Sequence, residues 1–540
     1  MVIRLWSLGA IALLLALSNP VAAETDAPSV PACGDPADPD LRIQACTALL
    51  QSGGQTPENI LAALINRGEA YDSKRDYNQA IGDYSAALAI RPDFGPAYVH
   101  RCLTYTEQGD NDRAIADCDA ALKLDPGDPA ALLNRGIARY AKGDTDQAIE
   151  DWTHAIAIDP MSALAYSSRC MARVDRGEDD AAIADCDSAL RIDPDFPPAL
   201  VHRGDAYLAK GTTDRAIADF DRAVALDPSF APAWSDRCLA NTALQHYEDA
   251  IRDCNHAATL DPSSGDTFVA RGKAYLGSGD IDHAIADFDQ AVRLDPNSAT
   301  ALLNRCYAYG EKAQYDRAIQ DCSAAAAIDP TWALPLVDRG RDYLRAGEID
   351  RAITDLNRAI ELDPKSTLAL ANRCMAYNEK NASDQAMADC NAALRIDPDN
   401  AQALTNRGVA LAAKGQLDPA IADFDAAIRL DPKAADALSD RGAALIGKGE
   451  WSRAIADCDA ALALEPDHAM ALMNRGIAWL RSGKPDQAIS DLTRATALDP
   501  VDARILVYRA QAYTEAGDRD RAAQDYARAE QLNPSAGRQR

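Results

Sequence analysis

The sequence predicts an all-α solenoid, a stack of fourteen helix hairpins of 34 residues each. Three observations lead to this fold class. A proline recurs every 34 residues from Pro92 to Pro534, fourteen times without an insertion or deletion. Alanine occupies two more positions of every period, beginning with Ala80 and Ala87. A fixed period of this length is typical of stacked units, each of which buries its apolar face only against its neighbours.

Composition and charge narrow the range of possible functions. The chain is 47% hydrophobic but only 6% aromatic, which indicates closely packed small helices. Its net charge is -28, and a surface this acidic repels phosphate backbones and anionic lipid headgroups. We therefore expect no nucleic-acid partner.

Residues 1–23 have the pattern of a secretory signal peptide. Arg4 supplies the positive start, residues 5–17 the apolar stretch, and residues 21–23 (Val-Ala-Ala) a small-residue cleavage site. The apolar stretch is too short to cross a bilayer comfortably, and no later segment predicts a membrane span. We expect an exported protein in the periplasm of a Gram-negative bacterium, with secretion as the alternative.

Residues 24–60 form a predicted linker followed by a capping helix. The linker is rich in proline and acidic residues, and Asp40 precedes a helical pattern that ends at Gly53. Cys33 and Cys46 bracket the start of this helix.

The predicted array covers residues 61–536 and leaves residues 537–540 as a tail. Numbering each repeat from 1 to 34, we expect helix A over positions 1–14 and helix B over positions 16–30, with the recurring proline at position 32. The invariant alanines at positions 20 and 27 indicate that the two backbones cross too closely for larger side chains. In the last repeat Ala523 and Glu530 replace apolar residues, as expected of a terminal cap.

The repeated positions resemble those of the tetratricopeptide repeat (TPR) family. The resemblance rests on small residues at positions 8, 20 and 27, on Pro at position 32, and on a frequent aromatic residue at position 11 such as Tyr71 or Tyr105, and it covers 476 of 540 residues. It implies a right-handed superhelix whose A helices line a concave groove, and a groove that binds peptides or protein surfaces. The segment around Cys33 and Cys46 is more loosely similar to leaders of exported bacterial proteins of this kind.

Arg at position 7 and Asp at position 23 occur in every repeat, beginning with Arg67 and Asp83. In a hairpin that turns near position 15, these two positions lie at equal height. We interpret them as ion pairs that join helix A to helix B, or neighbouring repeats. A ladder of ligand-binding arginines is the alternative interpretation, although charged pairs on a packed face normally serve each other.

Positions 8 and 24 change together. In alternate repeats both are Cys, and in the intervening repeats glycine at position 8 faces a bulky residue such as Tyr84 at position 24. This pattern predicts five disulfides within repeats, as is usual for exported proteins; the pairs are Cys102 with Cys118, Cys170 with Cys186, Cys238 with Cys254, Cys306 with Cys322, and Cys374 with Cys390. Metal binding and unpaired buried thiols are the alternatives. With Cys33 and Cys46 paired, Cys458 is the odd thiol, expected to be buried and inert, with a reactive or dimer-forming thiol as the alternative.

The resemblance places positions 2, 5, 6, 9, 12 and 13 of helix A in the groove. At these positions the sequence has an apolar floor and asparagine amides, which matching family members use to hydrogen-bond a peptide backbone; the alternative is that these amides only hydrate the surface. Basic residues cluster in the middle of the groove, where we expect contact with an acidic ligand. The predicted groove residues are Asn66, Asn134, Val269, Lys273, Leu303, Asn304, Val337, Arg341, Arg345, Asn372, Asn406 and Asn474.

These patterns favour a non-catalytic scaffold with a protein or peptide partner. The sequence has no metalloprotease, nucleophile-elbow, phosphate-loop or dinucleotide-binding motif, so we expect neither an enzyme nor a cofactor or metal. The alternative is a structural spacer or self-assembling cell-envelope component whose groove holds no ligand.

Overall fold

A computed structural model describes residues 31–34 and 38–533. The predicted signal peptide, the linker before residue 31, Pro534 and the tail lie outside these residues. Within them the chain forms 29 α-helices, one short 3-10 turn at Pro31–Gly34 and no strand, so the all-α prediction is confirmed. None of these helices is both long and apolar enough to cross a membrane.

The chain divides into two compact units, Met1–Pro296 and Asn297–Arg540. The helices of the first unit are α1 Pro39–Gln51, α2 Pro57–Ser73, α3 Tyr77–Ile90, α4 Gly95–Glu107, α5 Asn111–Leu124, α6 Pro129–Lys142, α7 Thr145–Ile158, α8 Ala163–Asp175, α9 Asp179–Ile192, α10 Pro197–Ala209, α11 Thr213–Leu226, α12 Ala231–Ala243, α13 Tyr247–Leu260, α14 Gly265–Gly277 and α15 Ile281–Leu294. Those of the second are α16 Ala299–Glu311, α17 Tyr315–Ile328, α18 Leu334–Arg345, α19 Ile349–Leu362, α20 Thr367–Glu379, α21 Ser383–Ile396, α22 Ala401–Ala413, α23 Leu417–Leu430, α24 Ala435–Gly447, α25 Trp451–Leu464, α26 Ala469–Arg481, α27 Pro485–Leu498, α28 Ala503–Glu515 and α29 Arg519–Leu532.

The even-numbered helices α2–α28 are the A helices of repeats 1–14, and the odd-numbered helices α3–α29 are the B helices. Each A helix packs most extensively against the B helix of its own repeat. Within each unit, every B helix also packs against the next A helix, and successive A helices contact each other. This is the repeated hairpin packing of an α-solenoid.

A left-handed residue at position 15 separates the two helices of every repeat. Ten repeats have glycine there, which adopts a positive φ without steric cost. The other four use Arg75, Gln245, Ala313 and Asn381, with φ between 55° and 62°. Because this residue and its neighbours form the turn, most A helices end at position 13 and the B helices begin at position 17, slightly inside the predicted limits.

The Asp-Pro step ends helix B by two means. Asp125, which precedes Pro126, has φ -134 and ψ 98, the extended backbone that proline imposes on the residue before it. Its carboxylate accepts a hydrogen bond from Gly127 N at 2.9 Å. The chain therefore leaves the helix and turns towards the next repeat at a fixed place, which accounts for the unbroken 34-residue period.

The invariant alanines lie at the contact between the two helices. Ala80 and Ala87 are fully buried, and their equivalents in the other repeats are between 0% and 4% exposed. This confirms that positions 20 and 27 are restricted by packing.

The two ends of the array differ from its middle. Helix α1 begins at Pro39, and the carboxylate of Asp38, not of Asp40, caps it by accepting from Asp40 N at 2.9 Å. Cys33 is bonded to Cys46, and the pair packs on Ala63 of the first A helix. In the last repeat, the structure leaves Ala523 and Glu530 exposed.

Candidate interaction surface on the A helices

The arginine at position 7 is bound to aspartate in all fourteen repeats. In repeat 6, Arg237 Nε and Nη2 donate to the two carboxylate oxygens of Asp253 at 2.8 and 2.6 Å. Arg237 Nη1 donates to Asp221 of the preceding B helix at 2.7 Å. The same two-point pair occurs in every repeat. These arginines therefore join the two helices of a repeat, and in many repeats also the preceding one, rather than facing a ligand.

The five predicted cysteine pairs are disulfide-bonded within their repeats. The intervening repeats explain why positions 8 and 24 change together. A Cβ atom at Gly136 would lie 2.5 Å from Trp152 Nε1, so the large ring at position 24 requires glycine at position 8. Cys458 is buried and unpaired, and burial raises the pKa of its thiol to about 12.

The apolar residues predicted to floor the groove are buried between neighbouring helices. Val269 is 6% exposed, Leu303 6% and Val337 1%. They therefore do not form an open apolar surface, and the expectation of exposure at position 5 is wrong. Val337, for example, belongs to a core cluster with Leu356 and Ala359 of its own helix B, against which Ile319 and Ala326 of the preceding helix B also pack.

The asparagines at position 6 mostly serve the fold. Asn406 Nδ2 donates to Ala371 O of the preceding repeat at 3.0 Å, and Asn474 Nδ2 donates to Ser439 O at 3.1 Å. Two others are also buried, Asn134 and Asn372, the latter accepting a hydrogen bond from Gln402. Asn66 and Asn304 are partly exposed, and Asn304 Nδ2 donates to Thr300 O of its own helix at 2.7 Å.

The basic residues predicted in the groove do not form a single basic cluster within one unit. Arg341 Nη1 lies 3.3 Å from Asp338 Oδ1, and Arg345 Nη1 lies 3.0 Å from Glu311 Oε1, both in the second unit. Lys273 belongs to the first unit. Because nearby acids offset the two arginines, their positive charge is not freely offered to an acidic ligand.

Four other residues give the A helices of the second unit an exposed apolar surface. Tyr307, Leu334, Leu368 and Met470 are between 37% and 40% exposed. The last three occupy position 2 and Tyr307 occupies position 9, two helical turns further along the same face. Tyr307, Leu334 and Leu368 come from the successive repeats 8–10, and we call these three residues the A-helix apolar patch; Met470 lies in repeat 13. Sequence reasoning named position 2 but missed these residues, although their apolar character was a visible signal.

The A helix of repeat 1 carries a partly buried acid, Asp72, at its contact with the A helix of repeat 2. Asp72 Oδ2 accepts from Tyr84 Oη at 2.7 Å and from Thr104 Oγ1 at 2.9 Å. Thr104 occupies position 10, where twelve repeats have alanine, so the site is specific to these repeats. Burial raises the pKa of Asp72 to about 7 despite both hydrogen bonds.

We expect Asp72 to make stability depend on pH. Its carboxyl has an ordinary pKa of 3.8 in the unfolded chain and about 7 in the fold, so the native state binds the proton more tightly. The contribution of Asp72 to the free energy of unfolding is therefore full below about pH 4 and is lost as pH rises towards 7. Urea titrations from pH 4 to 8 should show a shallower decline for Asp72→Asn than for the wild type. The exposed Asp93, changed to Asn, is the control and should leave the decline unaltered.

Comparison with known protein families identifies the repeat. Sequence models described as tetratricopeptide repeat match residues 61–94, 103–174, 201–265, 269–331, 337–401, 401–434 and 442–512. The matches at 61–94 and 401–434 begin and end at the repeat limits read from the proline period. The chain belongs to the tetratricopeptide repeat family. No curated protein matches its sequence.

Solved structures align with this chain at low sequence identity. The crystal structure of the APC/C hetero-tetramer Cut9-Hcn1 aligns with a TM-score of 0.54 and 16% identity, over 82% of this chain and 93% of that chain. A tetratricopeptide repeat protein from Parabacteroides merdae aligns with a TM-score of 0.38 and 18% identity, over 46% of this chain and 98% of that one. Yeast Tom70 aligns with a TM-score of 0.39 and 17% identity, over 82% of this chain and 99% of that one. TPR arrays are typically protein-interaction scaffolds without catalytic activity.

Proposed function

We propose that this TPR protein is an exported scaffold that binds a protein partner through the A helices of its second unit. The observation that carries the proposal is the A-helix apolar patch, in which Tyr307, Leu334 and Leu368 come from three successive repeats. The buried centres of protein interfaces are more apolar than the rest of the surface, and aromatic residues and arginine are enriched there. Arg341 fits this composition, because its guanidinium lies over the Tyr307 ring at 4.7 Å.

The internal bonds of the repeats support such a role. A backbone held by ion pairs, and in repeats 8 and 10 also by disulfides, loses little freedom when a partner binds, which lowers the ordering cost of association. Once one repeat has bound the partner, the neighbouring repeats meet it at a high effective concentration. Weak contacts in successive repeats therefore combine into a stronger overall affinity. A partner of extended or helical form that follows several repeats fits this arrangement.

Photo-crosslinking tests the surface. A photoreactive amino acid placed at Leu334 or Leu368 of the full chain is expected to capture the same partner in the native compartment. The same label at Leu430 and Leu464, which are 44% and 41% exposed on B helices, is the matched control and should not capture it. Changing Leu368 to Arg should abolish capture from Leu334, because it places a charge in the apolar interface.

Equal capture from both helix classes would contradict the proposal. Crosslinks between copies of this chain alone would favour the structural-spacer alternative. Val269 and Asn304 are less suitable for this test, since Val269 is buried and Asn304 Nδ2 is bonded within its own helix.

Export is the second part of the proposal. The predicted signal peptide lies outside the described residues, and six disulfide-bonded pairs in the rest of the chain support an oxidising compartment. In a Gram-negative host, cell fractionation should recover the mature chain from the periplasm, beginning at Glu24. A chain that lacks residues 1–23 is the control and should stay in the cytoplasm with its thiols reduced. Recovery of the unprocessed full-length chain from the cytoplasm would contradict export.

A further inference from the structure

One of the five disulfides within repeats has a different neighbour from the other four. Four of them pack against an alanine at position 10 of the following repeat, and these alanines are Ala138, Ala206, Ala274 and Ala410. At the same position beside Cys306 and Cys322 the chain has Asp342. No other repeat has an acidic residue at position 10.

The carboxylate of Asp342 is buried against the sulfur atoms. Asp342 is 0% exposed, and its Oδ2 lies 3.6 Å from Cys306 Sγ. Its Oδ1 has no hydrogen-bond partner among the described residues, and the nearest cation is Arg341, whose Nε lies 3.8 Å away. A buried carboxylate that receives no hydrogen bond is unfavourable, and a disulfide sulfur has no proton to donate.

A second unusual residue provides room for this carboxylate. A Cβ atom at Gly310 would lie 2.6 Å from Asp342 Oδ1. Gly310 occupies position 12 of its repeat, and no other repeat has glycine there. The two exceptional residues therefore contact each other, so the fold accommodates the acid rather than excluding it.

We propose that Cys306–Cys322 is a reversible thiol–disulfide exchange site, and that Asp342 favours its reduced form. A dithiol reductant breaks the S–S bond through a mixed disulfide and leaves as its own disulfide. Its two thiol hydrogens end on Cys306 and Cys322. The new thiol of Cys306 then donates to the Asp342 carboxylate, which lacks this hydrogen bond in the oxidised state. The four disulfides that face alanine gain no such bond.

The charge state of Asp342 supports this role. Burial raises the pKa of its carboxyl to about 6, and Arg341 opposes the rise, so the group is mostly ionised at neutral pH and can accept a hydrogen bond. Asp338, Glu311 and Arg345 are the other charged groups nearby. A hydrogen bond to an ionised acceptor is worth enough to raise the equilibrium ratio of reduced to oxidised form by about tenfold.

The experiment uses the full chain in buffers of reduced and oxidised dithiothreitol. Because the sulfur atoms are buried, samples are left to reach equilibrium, quenched in acid and alkylated, and each cysteine pair is quantified by peptide mass spectrometry. Cys306–Cys322 is expected to reach half-reduction at an about tenfold lower ratio of reduced to oxidised dithiothreitol than the other four pairs. Those pairs are internal controls for global stability.

Asp342→Ala restores the residue that twelve repeats have at position 10, and it should move the Cys306–Cys322 midpoint into the range of the other four pairs. Asp342→Asn keeps the volume beside Gly310 and removes the charge, so it should lose most of the preference even if the alanine variant folds poorly. A wild-type midpoint equal to the others would overturn the proposal. So would variants that leave this midpoint unchanged or that shift all five pairs together.

Discussion

Replacing Arg203 by Met is expected to lower the free energy of unfolding by about 3–5 kcal/mol. Arg203 Nε and Nη2 donate to Asp219 at 2.8 and 2.7 Å, and Nη1 donates to Asp187 of the preceding repeat at 2.6 Å. Asp219 is only 7% exposed, so the variant leaves a buried carboxylate without its partner. Urea denaturation of the purified chain measures the loss.

Two matched variants show whether burial is the cause. Arg222 pairs with Asp195 on the surface at 3.1 Å, and Arg222→Met should lower stability by less than about 1 kcal/mol. The double variant Arg203→Met with Asp219→Leu removes both charges and should recover much of the loss. Equal effects of the two arginine variants would contradict the interpretation of position 7 as a buried structural pair.

Gly442→Cys is expected to create a sixth disulfide within a repeat, with Cys458. A Cβ atom at Gly442 would lie 2.9 Å from Cys458 Sγ, and the five bridged repeats hold a pair at these same two positions. Closing a loop of about 15 residues should raise the free energy of unfolding by about 3 kcal/mol under oxidising conditions. Thiol labelling of the denatured, non-reduced chain should detect Cys458 in the wild type and no thiol in the variant.

Gly476→Cys is the control, because the residue opposite it is Leu492 rather than a cysteine. Its Cβ would lie 2.7 Å from Leu492 Cγ, so the added side chain should lower stability by about 1–3 kcal/mol. The stabilisation of Gly442→Cys should also disappear in reductant. A gain that persists in reductant would show that the effect is packing and not a covalent bond.

The fold was predictable because every repeat imposes the same restrictions. Ala80, Ala87 and their equivalents recur wherever the two helices of a repeat cross. The sequence therefore contains fourteen examples of each repeat position, which can be compared with one another. The disulfide pairing was predictable for the same reason, since glycine opposite Trp152 and cysteine opposite cysteine are alternative ways to fill one space.

The exposed surface was harder to predict. The sequence of an A helix shows which residues are apolar, but it does not show which of them a neighbouring helix covers. Val337 and Leu334 are both apolar and only three residues apart, yet one is 1% and the other 38% exposed. The carbonyl that Asn406 binds belongs to a residue 35 positions earlier, so its structural role depends on the packing of successive repeats. Asp342 at position 10 was visible as an exception, but its contact with a disulfide was not.

The bridges also limit how far this chain can be stretched. Each joins residues 16 positions apart in repeats 2, 4, 6, 8 and 10. When the ends of the molecule are pulled apart, a bridged repeat can lose its helices but cannot release the enclosed loop, which withholds about 50 Å of extended length. Unbridged repeats release their full length. Under mechanical load in an oxidising environment, bridged repeats should therefore give shorter extension steps than unbridged ones.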